Sequence, residues 1–356
     1  MVEHIDGTVT HSTFPVEIAP YQPFRNIRTI THEVTRALKA EVHFFGDVFE
    51  MEDQRNWTDA SYKTYSTPLD LPFPVEIAAG TQVQQSVNVR LIGDIPITLI
   101  ERSAPIQLTV DLQQVVGHLP KLGLCSAEHD SLLTEYEIQT LRRLHLTHLR
   151  ADVRFKVEGW EERLHQAMDE ARQLKVALEM ALHLADTPDA ELAALRQIVD
   201  AQQPIITRWL IFQQRHPCTP PEAIESARRH LDNYDSSARF AGGTDAFFTQ
   251  VNRERPAMAS FDLLSYSLNP QVHAFDDASL VESLPAQAAT LASARHFSED
   301  RGLMVSPVTL KMRFNPAATD SNLALSEADP RQQTLFGAGW TMGSIKYLSE
   351  GGAESV

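Results

Sequence analysis

The sequence predicts an α/β protein, a (β/α)8 TIM-type barrel lacking its last strand and preceded by part of a β-sandwich domain. Three observations carry this. The first ~120 residues are rich in Pro and β-branched residues and hold no long stretch of helical period. From Leu122 onward, short apolar strands alternate with amphipathic helices at spacings of roughly 25–40 residues, which argues a parallel sheet. No G-x-G-x-x-G turn follows the first of these strands, which weakens an open dinucleotide-binding sheet and favours a barrel. The domains are therefore placed at 1–115 and 116–356. A barrel of ~250 residues begun at Leu122 would end at about residue 370. The eighth strand is thus expected to be missing, with the barrel open between its seventh and first strands.

In the front part, AEVHFFGDVFEMED, TQVQQSVNVRL, IPITLI and IQLTVDL read as strands. Val83, Gln85, Val87, Val89 and Leu91 fall on one face of the second of these. The barrel part opens on LGLCSAEH. Thr134 then begins T-E-Y-E, a capping box with Glu137, ahead of Ile138, Leu141 and Leu144 as a buried stripe. THLRADVRF is the second strand, and Trp160, Leu164, Ala167, Ala171 and Leu174 mark the second helix. VALEMALHL follows, then Thr187-Pro188 as a helix start before Leu192, Leu195 and Val199. PIITRWLIF is the fourth strand, and Thr219-Pro220 repeats the cap-plus-proline start. SARFAGG, DLLSYSLN and PVTLKMRF supply strands five to seven. The last helix is expected from Asp329-Pro330, burying Leu335, Ala338, Met342, Ile345 and Leu348.

Composition narrows the function classes. The 356 residues are 43% hydrophobic and 22% charged, as in ordinary globular domains. Acidic residues number 47 against 31 basic, a formal net charge of -16, so the chain as a whole repels polyphosphate and nucleic acid is not an expected partner. Two cysteines, Cys125 and Cys218, make neither a disulfide framework nor a thiolate zinc site. The first residues lack the basic start and apolar core of a signal peptide. No apolar run approaches the ~18 residues of a membrane span. The expectation is a cytoplasmic protein without membrane association; the sequence leaves oligomeric state open.

In a parallel barrel the C-terminal strand ends surround the active site. Those ends offer Glu128 and His129, Asp152 and Arg154, Glu179 and His183, then Gly242 to Asp245. Asn269, Gln271 and His273 follow strand six, and Lys311 and Arg313 follow strand seven. Glu179 and His183 stand four apart and so point to one side, as do Lys311 and Arg313 two apart. Such a ring suits hydrolysis of a hydroxyl-rich substrate, although ion pairs of Lys311 and Arg313 with Glu179 and Asp152 would satisfy the same charges structurally. No H-x-H or H-E-x-x-H spacing points to a metal, and no G-x-S-x-G elbow to a serine nucleophile. No metal and no cofactor is expected. In FFGDVFEMEDQRNWTDASYKTY, Glu52, Asp53, Arg55 and Trp57 read either as a solvated domain-boundary loop or as a substrate-binding loop with Trp57 as a sugar platform.

FGDVFEMEDQRNWTDASYKTY and SYSLNPQVHAFDD resemble segments of bacterial D-apionate lactonases, and the likeness runs from about Phe14 to Val356. The resemblance implies a glycoside-hydrolase-like layout, with a barrel between β domains, and hydrolysis of the lactone of a branched sugar acid. Family members are longer at both ends, so this chain is expected to be truncated relative to them. The small-molecule partner expected is a sugar lactone, opened by base-activated water. Glu179 is the expected base, with His183 as alternate base or proton donor. Lys311 and Arg313 are to hold the oxyanion or substrate hydroxyls. Glu128, His129, Arg154, Asn269, Gln271 and His273 are expected to bind substrate. A glycoside hydrolase is the competing enzyme reading, because a barrel with facing carboxylates also supports it. A non-catalytic carbohydrate-binding fragment is the alternative from a different class.

Overall fold

The computed structural model describes residues 1–93, 109, 111, 113, 115, 117–126, 131–314 and 328–356. The expected strands IPITLI and IQLTVDL, and the candidates Glu128 and His129, lie outside the described residues. The chain divides into two compact units, Met1–Gln54 with Ser61–Val116, and Arg55–Ala60 with Gly117–Val356.

The first unit is antiparallel. Strands β1 (Val2–His4), β2 (Val9–Thr10), β3 (Ile27–Thr35) and β4 (Leu38–Phe45) come first, then a hairpin of β5 (Glu50–Asp53) and β6 (Tyr62–Tyr65), then β7 (Ser86–Gly93). The sheet order is β2-β1-β3-β4-β7, with β5-β6 separate. Val2, Ile27, Ile30 and Phe44 of the sheet share a core with Phe49 and Met51, against which Tyr62 also packs. Of the residues expected on one strand face, Val87, Val89 and Leu91 lie in β7 and Val83 precedes it, and all four are exposed. β7 pairs with β4 along its length and ends the described sheet, and among the described residues nothing covers that face.

The second unit alternates strands and helices as expected. Its elements run β8 (Gly123–Cys125), α1 (Glu135–Arg142), β9 (His148–Val153), α2 (Trp160–Leu174), β10 (Ala177–Leu184) and α3 (Asp189–Gln202). They continue with β11 (Ile206–Gln213), α4 (Pro221–Leu231), β12 (Arg239–Gly243), α5 (Phe248–Glu254), β13 (Leu263–Leu268), α6 (Asp277–Glu282), α7 (Leu284–Arg295), β14 (Gly302–Val308) and α8 (Leu335–Glu350). The seven strands form one sheet in the order β14-β13-β12-β11-β10-β9-β8, and every adjacent pair is parallel. No eighth strand forms among the described residues, and the gap expected between the seventh and first strands is bridged at one rim. Residues 354–356 sit there and bond both ways: Glu354 N–H to the Leu303 carbonyl at 2.8 Å, Gly123 N–H to the Val356 carbonyl at 3.0 Å. Ser355 bridges Lys121 on one side and Met304 on the other.

Local sequence explains most of these elements. The Thr134–Glu137 capping box is present, and both partners close it. Leu192, Leu195 and Val199 are fully buried on α3, and Leu164, Ala167, Ala171 and Leu174 form the buried face of α2. Three expectations need correction. Leu144 is exposed beyond the end of α1, leaving Ile138 as that helix's buried residue. The seventh strand is Gly302–Val308, built on the buried run Leu303, Met304 and Val305, while residues 309–314 turn away from the ladder. On α8 the buried side is Gly337, Trp340, Ser344 and Leu348, with Leu335 and Met342 exposed. Small residues let that side approach closely, since a Cβ on Gly343 would meet Leu284 of α7 at 2.6 Å.

Inward side chains stack in layers, as barrels require. The register pairs Glu179 with Arg208, Ala181 with Leu210 and His183 with Phe212. Ala181, Leu210, Phe212, Ala241, Leu263 and Met304 form the apolar middle. Below them lies a polar floor at the N-terminal strand ends, and above them a polar mouth at the C-terminal ends. No helix among the described residues is long and apolar enough to cross a membrane.

Candidate active site

The mouth is assembled by β9, β10 and the turn after β12. The segment LRADVR alternates so that Arg150, Asp152 and Arg154 project to one side. Gly243 ends β12 at φ +134°, where an added Cβ would strike the Ser265 carbonyl oxygen at 2.0 Å. Only glycine lets the chain turn there and deliver Asp245 over the mouth. Thr219, expected to cap α4, serves this corner instead: its hydroxyl binds the carbonyls of Ile211 and Gly243.

Arg150 is fully buried and forms the hub. Its Nη2 donates to Asp152 Oδ1 at 2.9 Å and to Asp245 Oδ1 at 2.8 Å, and its Nη1 donates to the Ser306 hydroxyl at 3.1 Å. His183 Nε2 lies 2.9 Å from Asp152 Oδ1, and Nδ1 lies 3.4 Å from Arg154 Nη1. A carboxylate only accepts and a guanidinium only donates, so in the neutral ring the proton sits on Nε2 and Nδ1 presents a lone pair. Arg313 binds the Asp245 carboxylate and stands 3.8 Å from Asp152. Arg154 reaches Asp245 at 3.5 Å and is the most open member, its side chain 40% exposed.

Charge placement sets the protonation states. Burial pulls the His183 pKa below its ordinary 6.5, against the opposing pull of Asp152 and Asp245, so the ring is neutral at pH 7. Burial alone would raise both carboxyls. Arg150, the His183 hydrogen bond and Arg313 outweigh it at Asp152, and Arg313, Arg150 and His183 outweigh it at Asp245, so both stand below the usual carboxylate range. Asp152, His183 and Asp245 each bring one ligand atom within 4.8 Å of the others. They could hold a divalent ion, but it would have to displace the ion pairs made by Arg150 and Arg313.

The remaining candidates are distributed as follows. Glu179 is not beside His183 at the mouth. Four residues of strand separate them by about 13 Å, and Glu179 lies in the floor, wholly buried, paired with Arg208, 3.2 Å from His148 Nε2 and bonded by the Ser355 hydroxyl at 3.1 Å. Gly123 makes room for His148, since a Cβ there would meet its ring at 2.1 Å. Lys311 is exposed on the turn after β14, because the strand ends before it, so it does not share a strand face with Arg313. Asn269 is buried and lines a pocket of about 10 Å³, room for about one water, together with Asp245, Ser267, Thr309 and Arg313. The Gln271 amide is committed to the Leu310 carbonyl, Asp329 and Arg331. His273 Nδ1 is 2.5 Å from Asp59 Oδ2. Trp57 meets the His273 ring edge-on at 5.4 Å, with the Arg253 guanidinium over it. Arg55 is half-buried in the 3-10 turn Gln54–Trp57. Glu52 and Asp53 belong to the first unit, where Glu52 pairs in register with Lys63 and Asp53 accepts the Ala19 N–H at 3.0 Å.

Arg150 and Asp59 were not singled out as binding groups by strand-end reasoning. The alternation of LRADVR carried the signal for Arg150; nothing local carried it for Asp59.

Comparison with known proteins follows the same division of the chain. Residues 1–94 match the model of the D-apionate lactonase N-terminal domain and residues 122–356 that of the D-apionate lactonase TIM barrel domain. A D-apionate lactonase of Brucella anthropi is 29% identical over 379 residues, covering 100% of this chain and 61% of that protein. The chain thus spans about three fifths of that relative's length. Among solved structures, a Ruminococcus gnavus β-glucuronidase overlaps 93% of this chain and 60% of its own at 8% identity and TM-score 0.41. A Thermotoga petrophila endo-1,4-β-D-mannanase overlaps 61% and 81%, at 8% identity and TM-score 0.35. Overlaps this loose carry no weight for the chemistry. The family match covers most of the chain at both domains, and the chain belongs to the D-apionate lactonase family.

Proposed function

We propose that this chain carries the catalytic barrel of a hydrolase that opens a sugar-acid lactone, D-apionolactone to D-apionate. The observation that carries the reading is the His183 dyad. Nε2–H is held by Asp152, while Nδ1 faces an open guanidinium that a substrate can draw away. Glu179 is wholly buried and paired, so the base is reassigned to its strand neighbour His183.

In this scheme His183 Nδ1 takes a proton from water as the oxygen attacks the lactone carbonyl. Charge develops on the carbonyl oxygen, where Arg154 and Arg313 stabilise it, while Asp152 steadies the imidazolium. The carbon–oxygen ring bond then breaks, and the imidazolium proton passes to the departing ring oxygen. The products are a hydroxyl and a carboxylic acid, which loses its proton to solvent, and the same guanidiniums suit the resulting carboxylate.

The glycosidase reading requires a carboxyl group kept protonated by a raised pKa. Asp152 and Asp245 are both held low by cations, so among the described residues of the mouth neither fills that role. The test is proton release from a panel of aldonolactones, D-apionolactone included, beside aryl glycosides as controls. Lactone opening lost in His183→Ala is the expected result. Turnover of glycosides alone, or no turnover, would overturn the reading.

A further inference from the structure

The segment Arg55–Ala60 lies in sequence inside the first unit but packs with the barrel unit. It grips the loop that follows β13. The Thr58 hydroxyl donates to the Asn269 carbonyl at 2.8 Å, and Asp59 binds His273 Nδ1. Asn252 Nδ2 donates to Asn56 Oδ1 at 2.9 Å, tying the same segment to α5. From the other side Asp329 and the Leu310 carbonyl hold Gln271 at 2.7 Å each. The loop is therefore clamped between two parts of the chain far apart in sequence. One of its residues, Asn269, lines a pocket with Asp245 and Arg313, which places the loop at the mouth.

We propose that Asp59 is a positioning residue for substrate recognition, fixing His273 so that its Nε2 accepts a hydrogen bond from a substrate hydroxyl. The Asp59 carboxylate is 7% exposed and can only accept, so it draws the ring proton to Nδ1 and leaves the Nε2 lone pair outward on a side chain that is 28% exposed. This is the rarer tautomer for a free imidazole, so the carboxylate performs a selection the ring would not make alone. Trp57 then supports the ring rather than offering a sugar platform, since Arg253 covers it and His273 meets it edge-on. The proposal rests on the lactone-hydrolase reading for the identity of the hydroxyl.

Two measurements test it. Steady-state kinetics on the lactone that the wild type opens should show Asp59→Ala and His273→Ala each raising KM about tenfold, with kcat within about threefold, as the loss of one hydrogen bond to substrate predicts. Asp59→Asn, which keeps an acceptor, should fall between them and the wild type. The double variant should be no worse than His273→Ala alone, whereas a merely structural role would lower kcat and give additive losses. Nitrogen-15 spectra of the wild-type ring, which need no variant to fold, should show Nδ1–H in the neutral form. An unchanged KM in Asp59→Ala, additive losses in the double variant, or an Nε2–H ring overturns the proposal. A wild type that opens no lactone overturns the functional reading instead, and the ring tautomer then decides by itself whether Asp59 does the positioning.

Discussion

The floor and the mouth of the barrel hold the same stock of groups and use it differently. The floor has Glu179, Glu354, His148, Arg208, Arg239 and Lys121; the mouth has Asp152, Asp245, His183, Arg150, Arg154 and Arg313. Each end pairs two carboxylates with one imidazole and three cations. At the floor the imidazole sits against a carboxylate that is fully buried, and residues 354–356 close over it. At the mouth the imidazole contacts Asp152, 25% exposed, and Arg154, 40% exposed. At the floor Glu179 and Arg208 are both enclosed and the open cations Lys121 and Arg239 face Glu354, whereas at the mouth an open guanidinium touches the imidazole itself and can be exchanged for a substrate. Position along the strand, not residue type, separates the two, since β10 supplies Glu179 to one and His183 to the other.

The largest effect that would sharpen this contrast is on catalysis. His183→Ala should lower kcat on the lactone by roughly 10²–10⁴, the usual worth of a general base, with little change in melting temperature. A loss of stability without loss of turnover would break the contrast.

Next comes its mirror at the floor. Glu179→Gln strands the buried Arg208 charge, which costs roughly 3–5 kcal/mol and should lower the melting temperature, while kcat of the folded protein stays within about threefold. Removing both charges, as Glu179→Gln with Arg208→Met, should cost less than the single change. A collapse of kcat in folded Glu179→Gln would return the base to Glu179.

The pH profile is a finer probe. Because burial holds His183 below 6.5, the acid limb of kcat/KM should fall at a pH lower than 6.5, where the ring gains its proton and stops acting as base. Asp152 pulls that pKa up and Arg154 pushes it down. Asp152→Asn should therefore move the limb to lower pH, and Arg154→Ala to higher pH. Shifts of the opposite sign would place the limb on another group.

The smallest expected effect is that of a chelator. With Arg150 and Arg313 already paired to the carboxylates, dialysis against EDTA should change turnover by less than about twofold. A loss restored by a divalent ion would make Asp152, His183 and Asp245 ligands and set the mouth apart from the floor in kind.

Much of this was legible in the residues themselves. The period of two in VALEMALHL puts Glu179, Ala181 and His183 inside the barrel, and the helical period of WEERLHQAMDEARQL puts Leu164, Ala167 and Leu174 against it. The α8 stripe was misread because Leu335 and Met342 are large and apolar, while the buried side depends on Gly337 fitting the backbone of Arg331 and Gln332 and on Ser344 meeting Gln287 of α7. Hydrophobicity alone does not register how closely two helices approach.

Strand alternation is a local property of the backbone, so the sequence by itself determined the order of strands and helices, the parallel sheet and which residues of each strand face inward. It placed Asp152, Arg154, His183, Asp245 and Arg313 together on one ring. Depth within the barrel, however, depends on the register between neighbouring strands, which no single strand encodes. Only the tertiary structure decided that Glu179 lies against Arg208 and Ser355 in the floor. The Asp59–His273 pair makes the same point, since its partners stand 214 residues apart and meet only because the chain folds back on the barrel loop. A carboxylate's role is set by what surrounds it, and those surroundings are assembled from distant segments.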